Sequence, residues 1–229
     1  MSGGNARRAV VTGTSSGIGL AIACRLAEEN WSVVGIDRTC IEDAPYLAAA
    51  EVVDLGNVEA VSALAAHLEP PMALIHAAGF MRTGRLDELD PTDGDEMWAV
   101  HVRAFAQLLK GLLPRMADGS RVVAIGSRTS GGAAGKAQYA ATKAALRGLM
   151  RSVAAEVIDR KITANIVSPA ATATPFLAER GRAAVPPLMP PIGRYIEPDE
   201  VAATVSFLLS EGAAAITGQD ILICGGASL

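Results

Sequence analysis

The chain has 229 residues, half of them hydrophobic and 19% charged, enough for one domain with a substantial core. A net charge of −4 argues against a nucleic-acid surface, which shows as clustered basic charge. No stretch reaches the ~18 uninterrupted apolar residues of a membrane span, and the opening residues lack a secretory apolar core, so no membrane association is expected. Cys24, Cys40 and Cys224 are odd in number and far apart. They form no CxxC pair and no disulfide framework, so reduced thiols and a cytoplasmic protein are expected.

Short β-rich runs alternate with helical stretches along the whole chain. The first run, 9–11, leads directly into TGTSSGIG at 12–19 and then into a helical pattern over 17–29. Gly13, Gly17 and Gly19 permit a tight turn and close backbone approach to a ligand. The helix that follows points its N-terminal N–H groups and dipole at whatever binds there, which suits a pyrophosphate. Strand, glycines and helix in that order are the context of a dinucleotide loop.

The second run, 32–36, ends at Asp37, eighteen residues after Gly19. An acid at that place accepts hydrogen bonds from the adenosine ribose and repels a 2′-phosphate. NAD is therefore expected over NADP, although the adjacent Arg38 pulls the other way. The connection to the third run, 51–53, is too short for a full crossover helix and is expected to be irregular. Asp54 closes that run within reach of an adenine edge. A helix over 58–67, a strand over 73–75 and a long helix over 93–116 follow.

A strand over 121–125 leads to Ser127, and a helix over 139–158 carries Tyr139 and Lys143. Residues at i and i+4 share a helix face. An ammonium held beside a phenol favours the phenolate. With a hydroxyl from another segment, the trio could move a proton on and off an alcohol or carbonyl, given a hydride acceptor. A strand over 163–167, a proline-rich stretch over 175–198, a helix over 198–210 and a strand over 221–224 complete the chain. Strands alternating with helices predict βαβ units, right-handed crossovers and a parallel sheet covered on both faces. Three scattered histidines without HExxH-type spacing predict no metal site.

These residues together resemble the short-chain dehydrogenase/reductase family over essentially the whole chain. TGTSSGIG matches the family's TGxxxGxG, Tyr139-Ala-Ala-Thr-Lys143 matches its YxxxK, and Ser127 falls where it keeps a catalytic serine. HAAG at 76–79, SPAATAT at 168–174 and ITGQDILICGGAS near the C-terminus are looser matches. The resemblance implies a single-domain, doubly wound Rossmann fold with a seven-stranded parallel sheet. It implies Tyr139 as general acid/base, Lys143 as its activator and ribose ligand, and Ser127 as the group orienting the substrate oxygen. It further implies a nicotinamide dinucleotide held by Gly13, Ser15, Ser16, Gly17, Ile18, Gly19, Asp37, Asp54, Leu55, Ala77, Ala78, Gly79, Tyr139, Lys143, Pro169, Thr172 and Thr174.

Five positions depart from the family pattern. His101 stands where the family has an asparagine that serves a proton relay through a helix distortion and a main-chain carbonyl. Its imidazole could itself titrate near neutral pH and join that relay, or it could equally be a packed helix histidine. His76 and Ala77 replace the asparagines of NNAG, Ala170 the glycine of PG, and Cys224 the acid of VDGG. The lid implied at 175–198 is short, so a small substrate is expected. Its arginines, Arg180, Arg182 and Arg194, could meet an anion or remain solvated. Substrate cues divide between sugar-acid or polyol dehydrogenases and dihydro-dihydroxybenzoate dehydrogenases. A weakly active NAD-binding regulatory module is the reading of a different class. The family's habit implies a homo-oligomer, tetramer or dimer.

Overall fold

The computed structural model describes residues 7–40, 43–178 and 185–229. Seven strands form one sheet: β1 (Arg8–Thr12), β2 (Ser32–Asp37), β3 (Ala49–Val52), β4 (Ala73–His76), β5 (Arg121–Ile125), β6 (Thr163–Pro169) and β7 (Asp220–Ile223). The order across the sheet is β3-β2-β1-β4-β5-β6-β7, and every pairing is parallel. The chain leaves β1 for one edge, then returns to lay β4 against the other side of β1. That reversal opens a crevice beyond the C-terminal ends of β1 and β4, the place where such sheets bind ligands.

Alternation along each strand builds two cores. Val10, Leu74, Val122 and Ala124 face α2 (Val58–His67), α4 (Ala104–Leu112) and α5 (Ala137–Glu156). Ala9, Val11, Ile75 and Val123 face α1 (Gly17–Glu28) and α6 (Pro198–Leu209). Helix starts follow local chemistry. Asn57 accepts the Ala60 N–H at the head of α2, and Glu197 and Glu200 form a reciprocal capping box ahead of α6.

The expected fold class holds, with three local differences. The long helix expected over 93–116 is α3 (Pro91–Trp98), a π-helical turn (Ala99–Arg103) and α4 in succession, closing with a 3-10 turn at Leu113–Arg115. A π-turn inserts one residue into the helical repeat, which hydrophobic periodicity does not reveal. The third strand runs two residues earlier than 51–53 at its start, because β2 pairs Val34 with Ala49. It is an edge strand with Val52 exposed, not one buried on both faces. The β2–β3 connection holds no helix among its described residues, as expected.

Phe105 of α4 is fully buried and stacks on His76 at 4.7 Å with a 6° interplanar angle. Phe105→Ala is expected to lower unfolding free energy by about 3–5 kcal/mol, read from urea denaturation.

Candidate functional site

A cleft of about 880 Å³ runs along the C-terminal edge of the sheet. Gly13, Ser15, Ser16, Gly17, Ile18 and Gly19 form one end, with Asp37, Asp54 and Leu55 beside them. Ala77, Ala78, Gly79, Pro169, Thr172 and Thr174 line its middle, and Ser127, Tyr139 and Lys143 its far wall. His101 alone among the expected residues does not line the cleft; it packs behind it.

The glycine loop is shaped by contact with the loop after β4. Gly13 has φ +78°, and a Cβ there would lie 2.9 Å from the backbone of Ala78. Ser16, the N-cap of α1, makes no side-chain cap, so the first N–H groups of that helix keep no such partner. Asp37 sits at the end of β2, where Oδ2 accepts from Ser15 N (3.0 Å) and Oδ1 from Thr39 N (3.1 Å). It therefore fixes the loop while retaining acceptor capacity toward the cleft. Exposed Arg38 lines the same end. This donor-rich, glycine-walled end beside a carboxylate fits a dinucleotide.

Lys143 is buried, and its Nζ donates to the Ile125 carbonyl at 2.9 Å. It lies 5.9 Å from the centroid of the Tyr139 ring. Burial pulls its pKa down from 10.5 to about 8. Ser127 caps a 3-10 turn, Arg128–Gly131: its Oγ accepts from Thr129 N at 3.2 Å and lies 2.9 Å from Thr129 Oγ1. Met81, Met97, Phe80 and Phe176 pack around Tyr139.

Two buried histidines lie beneath this wall, and their partners fix their tautomers. His101 Nε2 accepts from Phe80 N at 3.1 Å, so its proton is on Nδ1. Nδ1–H then donates to Thr142 Oγ1 (2.8 Å), which donates to the Tyr139 carbonyl (2.9 Å). The same ring meets Tyr139 edge-on at 5.7 Å. A Cβ on Gly79 would stand 2.9 Å from His101 Nε2, so this packing requires glycine. Burial, then the nearby Lys143 ammonium, holds His101 well below the usual imidazole range. Of the two expectations for this residue, the packed helix histidine fits and titration near neutral pH does not: a second proton would face a backbone N–H beside a buried cation.

His76 shows the reverse tautomer. Thr12 Oγ1 accepts from Ala77 N (3.1 Å) and Ala78 N (3.0 Å), so its own proton goes to His76 Nδ1 (3.0 Å). His76 Nε2–H then donates to the Val100 carbonyl of the π-turn at 3.1 Å. Burial lowers its pKa to about 3. Thr12 and this imidazole thus hold the turn where the family pattern has the asparagines of NNAG. Thr12 and Thr142 were not singled out from sequence; their only signal is position, at a strand's C-terminal end and one residue before Lys143.

The lid residues Arg180 and Arg182 lie outside the described residues. Arg194 is exposed to solvent, as expected, and does not line the cleft: it grips Glu200 through Nη1 (2.7 Å) and Nη2 (2.9 Å). Among the described residues no group of His, Cys, Asp and Glu could hold a metal, and no helix is long and apolar enough to cross a membrane.

A family model described as Enoyl-(Acyl carrier protein) reductase matches residues 13–228. The 2,3-dihydro-2,3-dihydroxybenzoate dehydrogenase of Escherichia coli (strain K12) is 33% identical over 96% of both chains. The 3-oxoacyl-(acyl-carrier-protein) reductase of Pseudomonas aeruginosa is 33% identical over 95% of this chain and 96% of its own. A short chain dehydrogenase from Burkholderia cenocepacia J2315, solved in complex with NADP, superposes with a TM-score of 0.82. It is 31% identical, covering 97% of this chain and 98% of that one. The chain belongs to the short-chain dehydrogenase/reductase family. It is a family of oxidoreductases that use nicotinamide cofactors.

The two histidines tie acid stability to this site. Free imidazole titrates near ~6.5, and both folded values lie lower. As pH falls below ~6.5 the unfolded chain binds protons that the folded one refuses. Stability is therefore present above that pH and lost below it, by about 1.4 kcal/mol per pH unit for each histidine, until the folded value is reached. His76→Asn is expected to remove about one proton from this slope between about pH 6 and 4, measured by urea unfolding against pH. An unchanged slope would contradict the buried neutral imidazole.

Proposed function

We propose that this chain is an NAD-dependent dehydrogenase/reductase that moves hydride between the nicotinamide and a small alcohol or ketone, a sugar acid, polyol or cyclic diol. The observation that carries the reading is the meeting of Ser127, Tyr139 and Lys143 on one wall of a cleft whose other end is the glycine loop with Asp37. Ser127 Oγ holds the substrate oxygen, and Tyr139 takes or returns its proton. Lys143, fixed by the Ile125 carbonyl, stabilises the phenolate as it forms. Met81, Phe80 and Phe176 exclude water around the phenol. The nicotinamide supplies the hydride or accepts it.

Asp37 accepts from the adenosine ribose diol and disfavours a 2′-phosphate, which supports NAD; Arg38 on the same rim and the NADP-bound relative from Burkholderia support NADP as the second choice. The dihydrodiol reading draws on the Escherichia coli relative, whose name specifies a cyclic diol, and on the short β2–β3 connection. Residues 175–198 act as a short lid over the substrate end, within a single domain spanning 1–229. We further infer a cytoplasmic homo-oligomer, tetramer or dimer; the exposed Trp98, Phe207 and Leu222 are apolar surface suited to such contacts. His101 serves the site as a positioning residue through Thr142 and the Tyr139 carbonyl.

Tyr139→Phe is expected to lower turnover by at least ~10²-fold while NADH affinity stays within about threefold. Fluorescence titration of NADH and NADPH measures the second quantity; tighter NADPH binding would overturn the reading of Asp37. Normal turnover by the variant would overturn the assignment of the phenol.

Lys143 gives a separate test. Its folded pKa, about 8, lies below the unfolded 10.5, so stability is full above the unfolded value and is lost as pH falls to about 8. The buried ammonium thus costs up to about 3 kcal/mol at neutral pH. Lys143→Met is expected to abolish turnover yet match or exceed the native Tm at neutral pH. Thermal unfolding scans across the pH range check this; a large drop in Tm would contradict it.

A further inference from the structure

The carboxylates lining the cleft, Asp37 and Asp54, are confined to the nucleotide end, which they share with Arg38. At the substrate end the charged side chains are Arg128 and Lys136, beside Lys143, and the rest of that wall is largely apolar, with Phe80, Met81 and Phe176. This cationic end belongs to a chain whose net charge is −4.

Arg128 follows Ser127 directly and is half-buried. One of its nitrogens, Nη1, donates to the Ala227 carbonyl at 3.2 Å, which anchors the guanidinium against the C-terminal segment. Among the described residues no carboxylate forms an ion pair with it, and no carboxylate lines this end of the cleft. A guanidinium keeps its charge at every working pH and has five N–H donors in a planar fork. With one edge held by a backbone carbonyl, the remaining donors suit a planar, two-oxygen anion. Lys136 is the N-cap of α5, three residues ahead of Tyr139, and lines the same wall.

We propose that the substrate is a hydroxy acid, or the matching oxo acid, whose carboxylate is held by Arg128 with Lys136 on the same wall. This rests on the dehydrogenase reading above and narrows it: of the sugar acids, polyols and cyclic diols, those bearing a carboxylate are the substrates. The carboxylate makes and breaks no bond. A bound nicotinamide would take the hydride of the carbinol carbon, and Tyr139 takes the hydroxyl proton. Arg128 and Lys136 set which carbinol carbon reaches the phenol. A separation of one residue from Ser127 and one helical turn from Tyr139 places the carboxylate close to the reacting carbon, so a compact acid fits better than a long one.

The test pairs gluconate, quinate and mandelate with their own primary amides, which keep shape and lose charge, and follows NADH formation by the native protein, Arg128→Met and Arg128→Lys. At least one acid is expected to exceed its amide by about tenfold or more in kcat/KM. Arg128→Met is expected to bring that ratio to within about threefold of one, mainly through KM, and Arg128→Lys to restore part of it. Amides that equal the acids, or a ratio untouched by Arg128→Met, would overturn the carboxylate site and leave the dehydrogenase reading standing. Sorbitol phosphate turning over faster than every acid would overturn the carboxylate in favour of a phosphate. Binding of NADH with no turnover of any acid, amide or neutral polyol would sink the dehydrogenase reading itself, and this inference with it.

Discussion

One hydroxyl holds the working end of this fold together. Thr12 Oγ1, at the last residue of β1, accepts two successive N–H groups from the turn after β4 and gives its proton to His76. His76 passes the bond on to the Val100 carbonyl in the π-turn. Three segments distant in sequence are thereby locked at the switch point of the sheet. Gly13 can press against Ala78 only because that turn is held in place, and the cleft exists only because the two loops part beyond this contact. Within this network the Thr12 hydroxyl, both His76 ring nitrogens and the two turn N–H groups all have partners, which is what makes it rigid and not a liability.

The site also works against stability in an intelligible way. A lysine is kept at the foot of a buried helix face with one carbonyl to hold it, and its ammonium pays the desolvation cost of that place. The imidazoles of His76 and His101 are neutral for the same reason: a second cation near Lys143 would stand in the same poorly solvated volume. The phenol, the lysine and the hydroxyl are thus carried on rigid elements, β5, its following turn and α5, while the flexible chemistry of charge is confined to the cleft.

Much of this was legible in residue order. Alternating apolar runs and helical stretches specify a doubly wound sheet, and TGTSSGIG, Asp37, Ser127 and Tyr139 with Lys143 specify which residues face its C-terminal edge. What periodicity could not report is the π-turn at Ala99–Arg103, because one inserted residue leaves the amphipathic pattern of its flanks intact. Thr12 and Thr142 were invisible for another reason. A buried threonine in a strand or helix reads as ordinary packing until its hydroxyl is seen to join two segments. Arg194 looked available to an anion in the lid, and only the fold brings Glu200 to it. Arg128 drew no notice beside Ser127, since a single arginine after a strand has no pattern.

The two histidine departures from the family pattern follow one rule. At both positions the family pattern has an asparagine, whose amide presents an acceptor oxygen and a donor nitrogen on one carbon. Neutral imidazole also presents one acceptor and one donor, on opposite edges of a flat ring. His101 uses Nε2 to accept and Nδ1 to donate; His76 uses Nδ1 to accept and Nε2 to donate. The imidazole therefore keeps one acceptor atom and one donor atom, and it adds ring faces that stack on Phe105 and meet Tyr139 edge-on. What it gives up is indifference to acid. An amide cannot be protonated in the working range, whereas either imidazole loses its acceptor when it takes a second proton. The arrangement is sound only while both rings stay neutral, and burial beside Lys143 is the force that keeps them so. The same lysine proposed to activate the phenol thus also guards the scaffold behind it.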